Sequence, residues 1–429
     1  MQSSRFWQTT TAVGLFIGYS GYYLCRSNLA VATPLIIQEF GDQGIDKEMM
    51  GKIASAGVIA YAIGKVINGL IGDAIGGKRV FLFGMIASVL ATILFGLGGG
   101  ILVFFVAVVF NRAVQSMGWG GLVKITAHWF SYRNYGKVMG LLSLSYLFGD
   151  IVAKLWLGQL IRWGLTWQEL FFVAGGTLFL IALFCLWAVK NDPESMGFDA
   201  PEVNPNSLLK DDSNEKKASL GEILRTYFSS LSFILLLIMS FGLTAIREAF
   251  NFWLPTYLFE VADLSEGAAS QFSSLYPVFG MISILAAGFL SDSALRGKRS
   301  ILILLGCVPM TFVLILMAAD LKGQIVPLIL SSLIGLLLLG PYSFLAGAMS
   351  MDLGGRKGSA TAVGLVDGVG YLGGTLSVWL TGRLAQYNGW NSAFWVLAVI
   401  TALTAIAAGI FYWTQERQKT TEMAYSGEN

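Results

Sequence analysis

Residues 21–37 read GYYLCRSNLAVATPLII, and this stretch decides the fold. It lies in an apolar run that begins near Thr11 and carries Arg26 near its middle. About 20 apolar residues cross the hydrocarbon core of a bilayer. At a helical rise of about 1.5 Å per residue, Arg26 falls roughly 22 Å from the start of the run, near the midplane. A guanidinium at that depth costs several kcal/mol, so such charges face a bundle interior or a water-filled cavity. The alternatives are snorkelling to an interface, which the depth disfavours, or pairing with a carboxylate. What a protein gains from a cation at that depth is a place for an anion.

The whole chain fits this setting. Its 429 residues are 55% hydrophobic and only 13% charged, with a mean hydropathy of +0.66, which marks an all-α, multi-pass membrane protein with the lipid bilayer as its surroundings. A net charge of +2 without a basic tract predicts no nucleic-acid partner. Cys25, Cys185 and Cys307 all fall in apolar runs, an odd number without metal-ligand spacing, and are expected to be packing residues in a disulfide-free protein. A single histidine, His128, excludes a histidine-based metal site, and no cofactor is expected. The first apolar run is full length and lacks a following small-residue cleavage site, so it is expected to be retained.

Working outward, apolar runs centre near Ser20, Ile63, Ser88, Gln115, Phe148, Leu180, Met239, Ile282, Val308, Leu336, Tyr371 and Ala402. These predict twelve spans, six on each side of a polar stretch from Lys190 to Glu222 that holds Pro193, Pro201 and Pro205. The expected organisation is a six-helix half at 1–190, a cytoplasmic linker at 191–225, a second six-helix half at 226–415 and a cytoplasmic tail at 416–429. With the N-terminus inside, the cytoplasmic side collects about 17 Lys and Arg, among them Lys78, Arg79, Arg133, Lys137, Arg296, Lys298, Arg299, Arg356 and Lys357. The other side collects roughly five: Lys47, Lys52, Arg162, Lys322 and Arg383. Both termini are then expected inside.

An internal repeat links the halves. GLIGDAIGGKR begins at Gly69 and GFLSDSALRGKR at Gly288, so Asp73 and Asp292 differ by 219. TWQELFFV and GWNSAFWV place Trp167 and Trp390 223 apart. Two matched offsets point to six-helix halves related by a pseudo-two-fold axis, the architecture of the major facilitator superfamily. Asp73, Arg79, Asp292 and Arg299 then belong to loop motifs that serve conformational change.

An offset of 221, between those two, carries Arg26 to Arg247, at a nearly equivalent place in the first span of the second half. In such a fold these helices are expected to face each other across a central cavity. Two guanidinium forks match phosphate or carboxylate bidentately. Glu248 follows Arg247 but lies about 100° round the helix, which predicts poor pairing between them. Lys65 shares a helix face with Tyr61 and Asn68, Tyr19 and Tyr22 share one with Arg26, and Asn251 lies one turn beyond Arg247. Arg26, Arg247, Lys65, Tyr22, Tyr61 and Asn251 are therefore the expected substrate-binding residues. Asp150 and Lys154, four apart, read as an intrahelical ion pair. Asp367 in VDGVGYLGGT either pairs with a basic residue or carries a proton. The glycines of GYLGGT are expected to serve helix packing and bending, and Lys124 to anchor its helix at the headgroups.

Several of these stretches resemble the organophosphate:phosphate antiporters. They are YYLCRSNLAVATPLI, AYAIGKVINGLIGD, QSMGWGG followed by Lys124 and HWF, NDPESMGF, Arg247 and GYLGGT, and they run over nearly the whole chain. The resemblance implies alternating-access exchange of inorganic phosphate for a small phosphorylated metabolite. It assigns the phosphoryl group to Arg26 and Arg247 and an added cationic contact to Lys65. The chain departs from the glycerol-phosphate members at two places. LSLSYLFGD, with Ser145, replaces a His-Asn-x-Gly setting, and Phe252 stands where an acid follows the span-seven arginine. The organic part of the substrate is thereby left open, with Ser145, Asp150, Lys154 and Asp367 as candidate specificity or coupling residues. RSNLAVATP also resembles the first span of proton-coupled sugar-acid carriers, and the antiporter family includes non-transporting sugar-phosphate sensors. No nucleophile–base constellation suggests an enzyme. The expectation is a monomer in a bacterial inner membrane.

Overall fold

In lipid the backbone must satisfy its own hydrogen bonds, so apolar runs of this length form helices. A computed structural model describes residues 4–199, 201, 220–293, 295, 298–319 and 323–417. Most of the expected linker, the tail beyond 417, Arg296 and Lys322 lie outside the described residues, as do the side chains of Asp73, Asp292, Arg133, Arg356 and Lys357. Among the described residues there are helices and no strands.

The first part of the chain forms α1 (Ser4–Tyr22), α2 (Leu24–Phe40), α3 (Lys47–Ile75), α4 (Gly77–Gly96), α5 (Ile101–Trp129), α6 (Tyr132–Ser143), α7 (Ser145–Arg162) and α8 (Trp167–Ala188). After the linker come α9 (Leu220–Ser229), α10 (Leu231–Val261), α11 (Glu266–Ser273), α12 (Leu275–Ser293), α13 (Arg299–Ala318), α14 (Ile325–Ser343), α15 (Ser350–Tyr387) and α16 (Gly389–Phe411).

Eleven helical stretches among the described residues are long and apolar enough to cross a membrane. The twelfth expected span is α1 followed by α2, interrupted at Tyr23. There the Tyr23 amide reaches only the Ser20 carbonyl (3.1 Å), and the chain resumes with Ser27 N–H on the Tyr23 carbonyl (2.9 Å). The polar residues Arg26, Ser27 and Asn28 lie directly after this interruption, which is why the run falls short of the others in apolarity.

The chain forms two compact units. The first takes Met1–Ile45, Ala56–Asn214 and Ser265–Ser274; the second takes Asp46–Ser55, Glu215–Leu264 and Leu275–Asn429. Two short segments join the unit that the rest of their neighbours in sequence do not: residues 46–55 go with the second and 265–274 with the first. Glycine accounts for both. In the first unit α11 lies against α7 so closely that a side chain at Gly158 would meet the Gly267 carbonyl at 2.7 Å. In the second, the start of α3 lies on α15, where a side chain at Gly382 would meet the Lys47 carbonyl at 2.6 Å. Lys47 also bridges to Glu260 at 2.9 Å.

Each unit closes one helix start with a residue from the end of its chain segment. In the first, Asn191 Oδ1 accepts the Lys78 N–H of α4 at 3.3 Å. In the second, Glu416 accepts the Ser300 N–H of α13 at 3.1 Å and also the Ser300 hydroxyl. Such partners satisfy amides that a helix N-terminus leaves open. Asn191 is itself held by Asp192, whose Oδ2 accepts from its amide at 2.9 Å. Partial burial pushes the Asp192 carboxyl up, but the Ser195 N–H and the Asn191 amide outweigh it and hold the group below its ordinary value.

Candidate functional site

In the first unit α2 presents Arg26 to aromatic faces. Its guanidinium lies 4.1 Å from the Tyr61 ring centroid and 5.1 Å from that of Tyr23. Arg26 Nη1 also donates to the Tyr23 hydroxyl at 3.1 Å. Tyr23 is placed for this by the break between α1 and α2, which a regular four-residue helical spacing does not predict. Lys65 is half-buried on α3, one turn beyond Tyr61. Ring faces attract cations without neutralising them, so this arrangement positions the Arg26 guanidinium among tyrosine rings.

Tyr22 is a correction. It is 2% exposed, and its hydroxyl donates to the Phe81 carbonyl at 2.6 Å. Its ring fits where glycines leave room, since a side chain at Gly118 would strike it at 2.8 Å. Tyr22 therefore locks α1 to α4 and α5, and is not carried forward as a binding residue. Asn68 likewise turns to α5, donating to Ala113 O at 2.8 Å and Ser116 Oγ at 2.6 Å. Lys124 is no headgroup anchor, because its Nζ donates to the Gly72 carbonyl at 3.0 Å.

Behind Arg26, the next residue of α2 engages a buried ion pair. Ser27 Oγ donates to Asp150 Oδ1 at 2.6 Å, and Asp150 Oδ2 lies 2.8 Å from Lys154 Nζ. Lys154 is fully buried. The intrahelical pair expected from the spacing is thus present, with Ser27 as an added partner. Ser145 is also fully buried, with its hydroxyl on the Leu142 carbonyl and its own carbonyl accepting from Ser20 at 3.0 Å. It serves the α6–α7 junction, and its side chain is not presented for specificity.

In the second unit Arg247 on α10 pairs with Glu248, contrary to the poor pairing expected from sequence. The Cβ atoms do diverge by about 100°, but both arms are long enough to curl together. The Arg247 guanidinium also lies 4.4 Å from the ring centroid of Tyr342 on α14. Nothing local in sequence marks Tyr342. Asn251 is half-buried one turn along α10, and Asp367 is half-buried on α15. Phe252 is buried against Trp253, with centroids 4.8 Å apart. Arg79 is exposed, and Arg299 pairs with Asp352 of α15. The glycines of GYLGGT bring α15 onto α10, as expected: a side chain at Gly373 would strike the Phe241 carbonyl.

Chemically, each unit offers one intramembrane guanidinium seated on tyrosine. Among the described residues no cluster of His, Cys, Asp and Glu could hold a metal ion.

The major facilitator superfamily profile matches residues 15–374. The chain is 27% identical to a probable hexose phosphate transport protein of Chlamydia trachomatis serovar D, covering 96% of this chain and 92% of that one. It is 28% identical to the glycerol-3-phosphate transporter of Bacillus subtilis (94% and 91%). It is 30% identical to the glucose-6-phosphate exchanger SLC37A2 of Mus musculus (84% and 78%). Its fold is similar to that of a bacterial homologue of the human lysosomal transporter Spinster, in an inward-facing, unoccupied conformation. That likeness has a TM-score of 0.76 at 14% identity and covers 96% of this chain and 98% of that one.

Proposed function

We propose that this chain, which belongs to the major facilitator superfamily, exchanges inorganic phosphate for a small phosphorylated metabolite. It is a multi-pass membrane carrier and not an enzyme. The observation that carries the reading is the pair of intramembrane arginines at repeat-equivalent positions, each resting on a tyrosine face. Relatives named for hexose phosphate, glycerol-3-phosphate and glucose-6-phosphate support it.

In this reading Arg26 and Arg247 each give a planar fork to the phosphoryl group, and Lys65 adds a cation. A planar fork matches phosphate oxygens bidentately, which an ammonium does not. Tyr61 keeps the Arg26 fork oriented, and Asn251 lies within one turn of Arg247 to meet polar substrate atoms. Exchange follows because an emptied carrier has lost the phosphoryl contacts to Arg26, Arg247 and Lys65 and reorients reluctantly, so each return trip carries an anion. The carrier works as a monomer in a bacterial inner membrane, with both termini cytoplasmic.

The test is uptake into phosphate-loaded proteoliposomes, screened over sugar phosphates, glycerol phosphate, phosphoglycerates and sugar acids. Uptake should require phosphate inside and stall in phosphate-free vesicles. Accumulation of a sugar acid in phosphate-free vesicles under an acid-outside gradient would replace exchange by proton symport. It would also make Asp367 and Asp150 the candidate proton carriers.

A further inference from the structure

We propose that Glu248 is a resident counter-ion on Arg247 that the ligand's phosphoryl group must displace, so that affinity is held down and release is fast. The inference rests on the phosphate reading above and assigns a role to a residue outside the expected binding set.

Three observations carry it. Glu248 occupies Arg247 Nη2, with the two side chains only 17% and 13% exposed. A carboxylate and a phosphoryl group present equivalent oxygens to a guanidinium fork, so Glu248 holds the place that a phosphoryl oxygen would take. Its seat is also built. A side chain at position 374 would lie 2.7 Å from Glu248 Cγ and 3.2 Å from its Cβ, and position 374 is glycine. The GYLGGT motif thus does more than bring helices together, since Gly374 leaves room for the stem of this carboxylate.

The third observation is the contrast with the other unit. Subtracting the repeat offset of 221 places Ser27 where the second unit has Glu248. The carboxylate that Ser27 meets, Asp150, is already committed to Lys154 at 2.8 Å. In sequence a carboxylate, Glu248, directly follows the second unit's arginine, and a serine follows the first unit's. A carboxylate on the neighbouring residue can move off a guanidinium by side-chain rotation. Phosphate binding and Glu248 departure then become one exchange of partners, and phosphate departure is assisted by Glu248 returning.

The experiment measures inorganic phosphate binding to purified protein and phosphate:phosphate exchange in proteoliposomes for the parent, Glu248→Gln, Arg247→Ala and the double variant. Glu248→Gln keeps the shape of the side chain, and thermal unfolding checks that it folds. The expected result is phosphate binding at least tenfold tighter in Glu248→Gln, a lower maximal exchange rate, and no such tightening on the Arg247→Ala background. Unchanged or weaker binding by folded Glu248→Gln would overturn the proposal and make Glu248 a prop that orients Arg247. If Glu248→Gln fails to fold, Glu248→Ala, which vacates the seat beside Gly374, is read by the same criteria. A parent that binds no phosphate, or an Arg247→Ala variant that binds as the parent does, would instead remove the phosphate reading, and this inference with it.

Discussion

Arg26 and Arg247 hold equivalent places in the two units, yet they are held differently. Arg26 rests on two tyrosine rings and bonds to one hydroxyl. Arg247 has one ring and a carboxylate. Rings fix a guanidinium and leave its charge in place; a carboxylate fixes it and spends the charge. On the proposed reading an incoming anion would keep the rings but compete with the carboxylate. The two units would then share the cation and differ in its support, with Arg247 making the exchangeable contact.

The sharpest way to break this contrast is to free the first unit's carboxylate. Lys154→Ala leaves Asp150 buried with Ser27 alone. Removing one partner of a buried pair costs about 3–5 kcal/mol, so the thermal unfolding midpoint in detergent should fall strongly. Adding Asp150→Asn should recover most of the loss. A single variant as stable as the parent would show that the pair is not structural.

The next effect is on binding. Arg26→Lys and Arg247→Lys keep the charge and remove the fork. A charged hydrogen bond is worth about 1.5–3 kcal/mol, so each should weaken phosphate binding roughly ten- to a hundredfold. Isothermal titration in detergent measures this directly. Either single variant binding within about a factor of two of the parent would make that arginine structural and end the comparison.

The rings come third. Cation–π contacts contribute about 0.5–2 kcal/mol, so Tyr61→Leu should weaken phosphate binding by roughly two- to thirtyfold. Tyr342→Leu should have the smaller effect, because Glu248 still orients Arg247. Equal losses at the two positions would argue that the supports are interchangeable.

Much of this was legible in the chain. The spans, the repeat and the symmetric arginines follow from apolar length and from two offsets. The Asp150–Lys154 pair follows from helical spacing. What escaped was set by packing between segments distant in sequence or by side-chain reach. Tyr342 reaches Arg247 from another helix, and no local pattern announces it. Tyr22 and Tyr23 are neighbours, and only the break after Tyr22 decides which of them accompanies Arg26. The Cβ direction of Glu248 predicts poor pairing, although two long arms on adjacent residues can meet. The glycine that seats it, Gly374, reads in sequence as one of many.

The smallest expected effect concerns the helix starts. The second unit closes α13 with a carboxylate directly, through Glu416 and Ser300. The first closes α4 through an amide, Asn191, which Asp192 holds in turn. Because the Asp192 carboxyl is held below its ordinary value by the Ser195 N–H and the Asn191 amide, against the opposing push of burial, its contribution has a definite sign. It is present in full above the ordinary carboxylate range and is lost as the pH falls through the depressed value. Asp192 sits in an exposed loop, and exposed pairs contribute only about 0.2–1 kcal/mol. Unfolding midpoints taken from neutral to acid pH should therefore show a slightly larger acid-side loss in the parent than in Asp192→Asn, with the two curves converging at the acid end. Curves that stay parallel across the whole range would mean that Asn191 holds its place without Asp192, and that the two units close their helix starts with equal independence.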